Sequence, residues 1–161
     1  MITLLVIRHG SAEDPRPGLR DAERALTAEG WEKTRAAMRG LVLRGYVPSR
    51  GIASPYRRAA ETLACLKEAS AEGFPAAFWE GLEPEASVAQ AEDWLRGLVA
   101  EAGPRETIAL VSHQPFVSGL IRQLTGRDVE MKKASCAVLH WHAGRFELAV
   151  QFTPAELRGG A

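Results

Sequence analysis

Short apolar runs alternate along this chain with longer stretches whose apolar residues recur every three or four positions, the pattern of strands and helices taking turns around a mostly parallel sheet. Leu4–Ile7 reads as a first strand. Thr27 stands as an N-cap, and Trp31, Thr34, Met38, Leu41 and Val42 fall on one face of a helix over 28–44 that Gly45 ends. A short second strand is expected over 51–53. Ser54-Pro55 after it reads as an N-cap with proline at the first helical position, so Tyr56, Ala59 or Ala60, Leu63 and Leu66 face the core. Residues 74–79 suit an edge strand, because Pro75 would be awkward in a central one. Ser87 with Gln90 matches a capping box ahead of Ala91, Trp94, Leu95, Leu98 and Val99, a stripe that stops at Gly103. Thr107–Ser112 is a strand run, and Pro115 opens a helix carrying Phe116, Val117, Leu120, Ile121 and Leu124 inward until Gly126. Strands over 135–142 and 145–152 meet at Ala143-Gly144 as a hairpin. The expected class is α/β: a three-layer αβα arrangement with helices on both faces of the sheet and a C-terminal hairpin. One domain spans 1–153, and a frayed tail follows over 154–161.

Composition narrows the partners. The 161 residues are 46% apolar, enough for one sizeable core, and 20 basic side chains balance 20 acidic ones. That balance gives no global field for nucleic acid or an anionic membrane, so positive charge at any site must be local. The opening Met-Ile-Thr-Leu-Leu-Val-Ile is too short for a signal-peptide core and lacks a basic leader. No apolar stretch approaches the length of a bilayer span, and a cytoplasmic protein is expected. Cys65 and Cys136 stand far apart without a second thiol nearby, which suits buried inert side chains.

The chemistry collects at strand ends. Leu4–Ile7 is followed by Arg8-His9-Gly10, Ile52-Ala53 by Ser54-Pro55 with Arg57 and Arg58, and Ile108–Val111 by Ser112-His113-Gln114-Pro115. Ligands of open α/β sheets sit beyond the carboxyl ends of the strands, so three such ends can gather two histidines and two arginines. A phosphoryl group in transfer carries negative charge on its equatorial oxygens and needs positioned cations plus an in-line nucleophile. Arg8, Arg58 and His113 meet the first need. His9 meets the second, since neutral imidazole is nucleophilic near pH 7 and can form a phosphoramidate that water hydrolyses. Arginine's planar fork can hold two phosphate oxygens, and helix N-termini after Pro55 and Pro115 add positive potential. The scheme calls for no metal and no cofactor.

Arg8-His9-Gly10 at the end of the first strand resembles the motif of the histidine phosphatase superfamily, which includes phosphoglycerate mutases and acid phosphatases. Ser54-Pro55-Tyr56-Arg57-Arg58-Ala59-Ala60-Glu61-Thr62 is similar to the family's Ser-Pro-x-x-Arg-Ala-x-x-Thr segment, which selects Arg58 over Arg57 as phosphate ligand. Val111–Pro115 resembles the segment of the second histidine, and Leu26-Thr27-x-x-Gly30 the start of the family's first helix. The resemblance implies a phosphoglycerate mutase-like fold in which His9 accepts the phosphoryl group and Arg8, Arg58 and His113 complete the pocket. Mutase-like members place a glutamate two residues after a leucine as proton donor. Here Gly81-Leu82-Glu83-Pro84-Glu85 puts proline there. The short chain and this Leu-x-Pro pattern resemble the SixA-type phosphohistidine phosphatases. Imidazole leaves more readily than an alkoxide, because its conjugate acid has a pKa near about 6.5, so a dedicated acid is dispensable. Glu83 or Glu85 remains a candidate donor for an ester. The implied substrate is phosphohistidine on a signalling or phosphotransfer protein. The alternatives are a small phosphomonoester or, in another class, a module that binds the phosphoryl group without turnover.

Other polar residues have plainer readings. Arg57 suits solvent or a salt bridge, His140 and His142 an exposed strand face, and Glu61 and Glu68 a charged helix face without function. The irregular stretch over 11–25 is a surface loop too short for a lid domain, which leaves the pocket open to a phosphorylated side chain on another protein. Its Arg16, Arg20 and Arg24 suit solvent.

Overall fold

The computed structural model describes residues 1–159, and its central strand shows at once why the chain folds around two cores. In β1 (Ile2–Arg8), Leu4 and Val6 face one side of the sheet while Leu5 and Ile7 face the other, and all four are fully buried or nearly so. A strand apolar on both faces must be central in a sheet covered on both sides. The chain continues through α1 (Ala28–Leu43), β2 (Arg50–Ala53), α2 (Arg57–Ala69), β3 (Ala76–Phe78) and α3 (Val88–Glu101). It ends with β4 (Thr107–Ser112), α4 (Phe116–Thr125), β5 (Cys136–His142), β6 (Arg145–Phe152) and α5 (Pro154–Leu157).

The six strands lie in the order β3-β2-β4-β1-β5-β6. The first four run parallel, β5 runs antiparallel to β1, and β6 antiparallel to β5. One face packs Leu95 and Val99 of α3 with Val117, Leu120 and Ile121 of α4 against Leu4, Val6, Ile108 and Leu110. The other packs Met38 and Leu41 of α1 and Leu63 and Leu66 of α2 against Leu5, Ile7, Ala109 and Val111. Each fully buried leucine or isoleucine stabilises the fold by roughly 1.5–3 kcal/mol relative to exposure. The three-layer αβα class expected from the pattern is the fold observed.

Register carries the functional consequence. Arg8 pairs with Ser112 and Ala53 with Val111, so β1, β2 and β4 end at one level of one sheet edge. Because β5 is antiparallel, its first residue Cys136, opposite Ile7, starts at that same edge and brings the segment before it there.

The local expectations hold with three corrections. Thr27 caps α1, its hydroxyl accepting from Gly30 N, and Gly126 closes α4 in the left-handed conformation. Ala143 and Gly144, at φ 53° and 78°, make the two-residue turn of the β5–β6 hairpin, and β3 is an edge strand. First, Ser54-Pro55 does not open α2. The helix begins at Arg57 after Tyr56, and the Ser54 hydroxyl accepts from Tyr56 N at 3.2 Å in a local turn. Second, Ser87 accepts from Gln90 N at 3.2 Å, but the return bond from the Gln90 side chain, which would complete a capping box, is not among those formed by the described residues. Third, the tail is not frayed from Pro154. Thr153 and Glu156 form a full capping box around α5, with Pro154 at its first turn and Leu157 1% exposed. Arg44 at the end of α1 donates to the carbonyls of Gly40 and Glu156, at 2.9 and 2.7 Å. Gly40 permits this docking, since a Cβ there would lie 1.6 Å from the Leu157 carbonyl oxygen. The last two residues of the expected tail, 160–161, lie outside the described residues.

Candidate active site

His9 follows directly from β1, and its backbone N–H donates to the Ser112 carbonyl at 3.1 Å, which locks it to the end of β4. Its imidazole is 6% exposed. Nδ1 lies 2.7 Å from the Gly10 carbonyl oxygen, and since a carbonyl can only accept, Nδ1 carries the proton. Nε2 is therefore the unprotonated nitrogen, and it accepts from Arg58 Nε–H at 3.3 Å. Gly10 itself must lack a side chain, because a Cβ would lie 2.0 Å from the Thr34 hydroxyl oxygen.

Arg58 enters from the first turn of α2 and is 5% exposed. Its other nitrogens donate to the Asp21 carbonyl at 2.8 Å and the Asp21 carboxylate at 3.2 Å. A guanidinium has five N–H groups, so these three bonds leave two for an oxyanion. Its carbon lies 5.1 Å from the centre of the Tyr56 ring, a cation–π contact. Thr62, one turn further along α2, donates to the Arg58 carbonyl at 2.8 Å and accepts from Gly10 N at 3.0 Å.

His113 follows β4 and is 1% exposed. Its Nε2 pairs with the Ser54 hydroxyl at 2.9 Å, while Nδ1 has no partner among the described residues. Its ring centre lies 5.0 Å from that of His9 and 5.1 Å from that of Tyr56, both edge to face.

The electrostatics keep both imidazoles neutral. Burial pushes His9 down to about 4 against the pull of the Gly10 carbonyl, and the charges of Arg58, Arg8 and Lys133 push the same way as burial. Burial also takes His113 down to about 2, helped by His9, Arg58, Arg24 and Arg8. A neutral, oriented imidazole whose Nε2 lone pair is held only by the Arg58 Nε–H is competent for attack on phosphorus once that hydrogen bond gives way. Helices α2 and α4 start beside it, their N-terminal turns adding positive potential.

His9, Arg58 and His113 thus meet as expected. Arg8 stands differently: its guanidinium donates to the Met131 carbonyl at 3.0 Å, and burial lowers its pKa. Glu83 and Glu85 form no side-chain hydrogen bond or ion pair among the described residues. Glu83 is nonetheless held near the site, because the Ser112 hydroxyl donates to the carbonyl of the preceding Leu82 at 2.5 Å. Arg57 pairs with Glu61 at 3.2 Å. Glu61 has more to do than a solvated face implies, since it also accepts from Leu26 N at 2.8 Å and pins the 11–26 loop to α2. Asp21 escaped sequence reading because nothing marks a loop aspartate as the partner of an arginine 37 positions away. The roles of Ser54 and Thr62 were within reach, since both stand in the segment that selected Arg58. Among the described residues no group of three or more His, Cys, Asp or Glu side chains is placed to hold a metal ion, and no helix is long and apolar enough to cross a membrane.

No curated protein matches the chain. Among solved structures, the protein histidine phosphatase SixA complexed with tungstate is similar over 96% of this chain and 99% of its own, with a TM-score of 0.87 at 23% identity. A protein from Agrobacterium tumefaciens assigned as a SixA phosphohistidine phosphatase is similar over 94% and 97%, with a TM-score of 0.79 at 22% identity. A mutant phosphoserine phosphatase from Entamoeba histolytica with phosphoserine is similar over 96% and 98%, with a TM-score of 0.74 at 16% identity. The sequence matches the family model of the histidine phosphatase superfamily, branch 1, over residues 4–93, more than half of its length. The chain belongs to that superfamily.

Proposed function

We propose that this member of the superfamily is a phosphatase acting on phosphohistidine carried by another protein, with His9 as nucleophile. The observation that carries the reading is the tautomer of His9: Nδ1–H is committed to the Gly10 carbonyl, and Nε2 presents its lone pair next to Arg58. In the first step the His9 Nε2–phosphorus bond forms as the substrate's phosphorus–nitrogen bond breaks, and the substrate imidazole, protonated on its other nitrogen, leaves with the electron pair as a neutral ring. Water then attacks the phosphoramidate on His9, releasing inorganic phosphate and neutral His9. Arg58 and Arg8 balance the oxyanion charge, and the unpartnered Nδ1 of His113 is free to bond a phosphoryl oxygen once Ser54 donates to Nε2. The leaving imidazole needs little acid assistance, which agrees with Pro84 at the expected donor position and with unbonded Glu83 and Glu85 side chains. No step uses a metal, and the cytoplasm is the compartment in which we place it.

A small phosphomonoester is the second reading, favoured by one observation: Glu83 follows the residue tied to Ser112, within the neighbourhood of His113. The test is hydrolysis of a histidine-phosphorylated protein against a panel of small esters, in chelator, by the parent and by His9→Ala. Release from phosphohistidine that disappears with His9 is expected, together with an acid-labile phosphoryl group trapped on the parent alone. Turnover of esters only, with loss in Glu83→Gln, would move the assignment to a small-molecule phosphatase. Phosphate binding without any turnover would leave a recognition module.

A further inference from the structure

A cavity of about 390 Å³ borders Arg8, and cations line it: Arg8, Lys33, Lys132, Lys133 and Arg158. In a chain whose formal charges sum to zero, five cations around one cavity are a local concentration rather than a general trend. Lys33 is paired with Glu29, but the other four make no ion pair among the described residues. Two buried polar atoms lack partners there: the hydroxyl of Thr34, a residue 1% exposed that lines the cavity, and Nε of Arg8. Both atoms are closed to solvent, the Thr34 hydroxyl packed against Gly10, so what the cavity offers a ligand is the charge of its rim.

The cavity is coupled to the site. Ala134 N donates to the carbonyls of both Arg8 and His9, at 3.0 and 3.1 Å, and this ties the lysine-bearing segment to the nucleophile. The charge of Lys133 reaches His9. The antiparallel entry of β5 puts that segment at the edge where His9 stands, and the end of α5 adds Arg158 to the cavity lining.

We infer that this cavity is a second anion subsite that takes an acidic side chain of the phosphorylated protein, an aspartate or glutamate close to its phosphohistidine. The inference rests on the function proposed above and names the recognition element of its substrate. Lysines on an open rim suit flexible carboxylates on a protein surface, and such charges act chiefly on encounter and on salt dependence.

The test uses histidine-phosphorylated peptides with Asp and Glu flanking the phosphohistidine, and the same peptides with Ala in those places. The readout is the ratio of kcat/KM for acidic over neutral peptide, in the parent and in Lys132→Glu/Arg158→Glu. The subsite predicts a ratio of about tenfold in the parent at low salt, shrinking as added salt shortens the Debye length, and collapsing to about one in the variant. Equal turnover of both peptides by the parent would overturn the subsite and leave the phosphohistidine reading standing. Turnover of neither peptide, with small esters hydrolysed, would overturn both. A ratio unchanged in the variant would move acidic recognition elsewhere and also overturn the assignment of this cavity.

Discussion

His9 and His113 set the pH behaviour of the site, because both lose their protons far more readily than an ordinary histidine near 6.5. Free His9 stays unprotonated down to about pH 4, so the acid limb of kcat/KM should fall near 4 rather than near 6.5, as a pH–rate profile with a substrate stable in acid would show. A limb at 6.5 would mean that the buried imidazole is not the group that titrates. Stability follows with a definite sign. Between pH 6.5 and 4 the unfolded chain binds protons at both histidines that the folded chain refuses, so stability is full above 6.5 and declines as pH falls through this window. Each histidine contributes at most about 1.4 kcal/mol per pH unit. Denaturant midpoints against pH should fall less steeply for His113→Gln than for the parent, and equal slopes would exclude the mechanism. At this scale the sequence disclosed most: motif and chemistry pick out His9, Arg58 and His113, and the fold brings the three side chains together. Asp21, which holds Arg58, was hidden because its role depends on where a loop returns. The turn ahead of α2 was hidden because Ser-Pro looks the same whether serine caps a helix or bonds within a turn.

At the level of elements, alternation of strand and helix patterns located every strand and all four long helices, since apolar periodicity records which face is buried. The miss was α5. Thr153-Pro154-Ala155-Glu156 has the residues of a capping box with proline at the first turn, a signal as good as the one at Ser87, but four residues carry no period to announce a helix. What holds α5 is tertiary: Leu157 in the α1–α2 core and Arg44 on its carbonyls. Leu157→Ala should therefore cost about 2–5 kcal/mol, as expected of a buried leucine, and Thr153→Ala about 1 kcal/mol through its cap. Chemical denaturation would measure both, and a Leu157→Ala variant as stable as the parent would mean that α5 is not docked. Because Pro154 and Arg158 border the cationic cavity, undocking α5 also removes one of its walls.

The molecule as a whole is one sheet with a core on each face, and the two cores share β1, β2, β4 and β5. Neither can come apart while the other remains, so far-UV circular dichroism and tryptophan fluorescence should report a single coincident unfolding transition. Two separated transitions would show that the faces are independent. The buried Cys65 and Cys136, whose thiols burial holds well above their ordinary range, with Cys65 at about 12, belong to the core and take no part in the site. Sequence pattern gave the layers. It could not give strand order and direction, and these are what deliver the lysines of 132–133 to the edge where His9 stands, because nothing in a local pattern says that the fifth strand enters the sheet against the direction of the others.

One oxygen atom ties the segment that carries His9 to the helix that carries Arg58. The Thr62 hydroxyl accepts a hydrogen bond from Gly10 N–H and donates one to the Arg58 carbonyl, so it works as a spacer whose length is two hydrogen bonds. Thr62→Val keeps the shape and removes the spacer, Thr62→Ser keeps the spacer and removes a methyl group, and neither touches a group that would meet phosphate. Misplacement by about 1 Å can cost about 10²-fold in rate, so the valine variant should lose about that factor in kcat while serine restores most of it. Equal rates in the two variants would mean that the separation is set elsewhere. The spacing of His9 and Arg58 is then an inherited property of a neutral side chain, adjustable without altering a single charge.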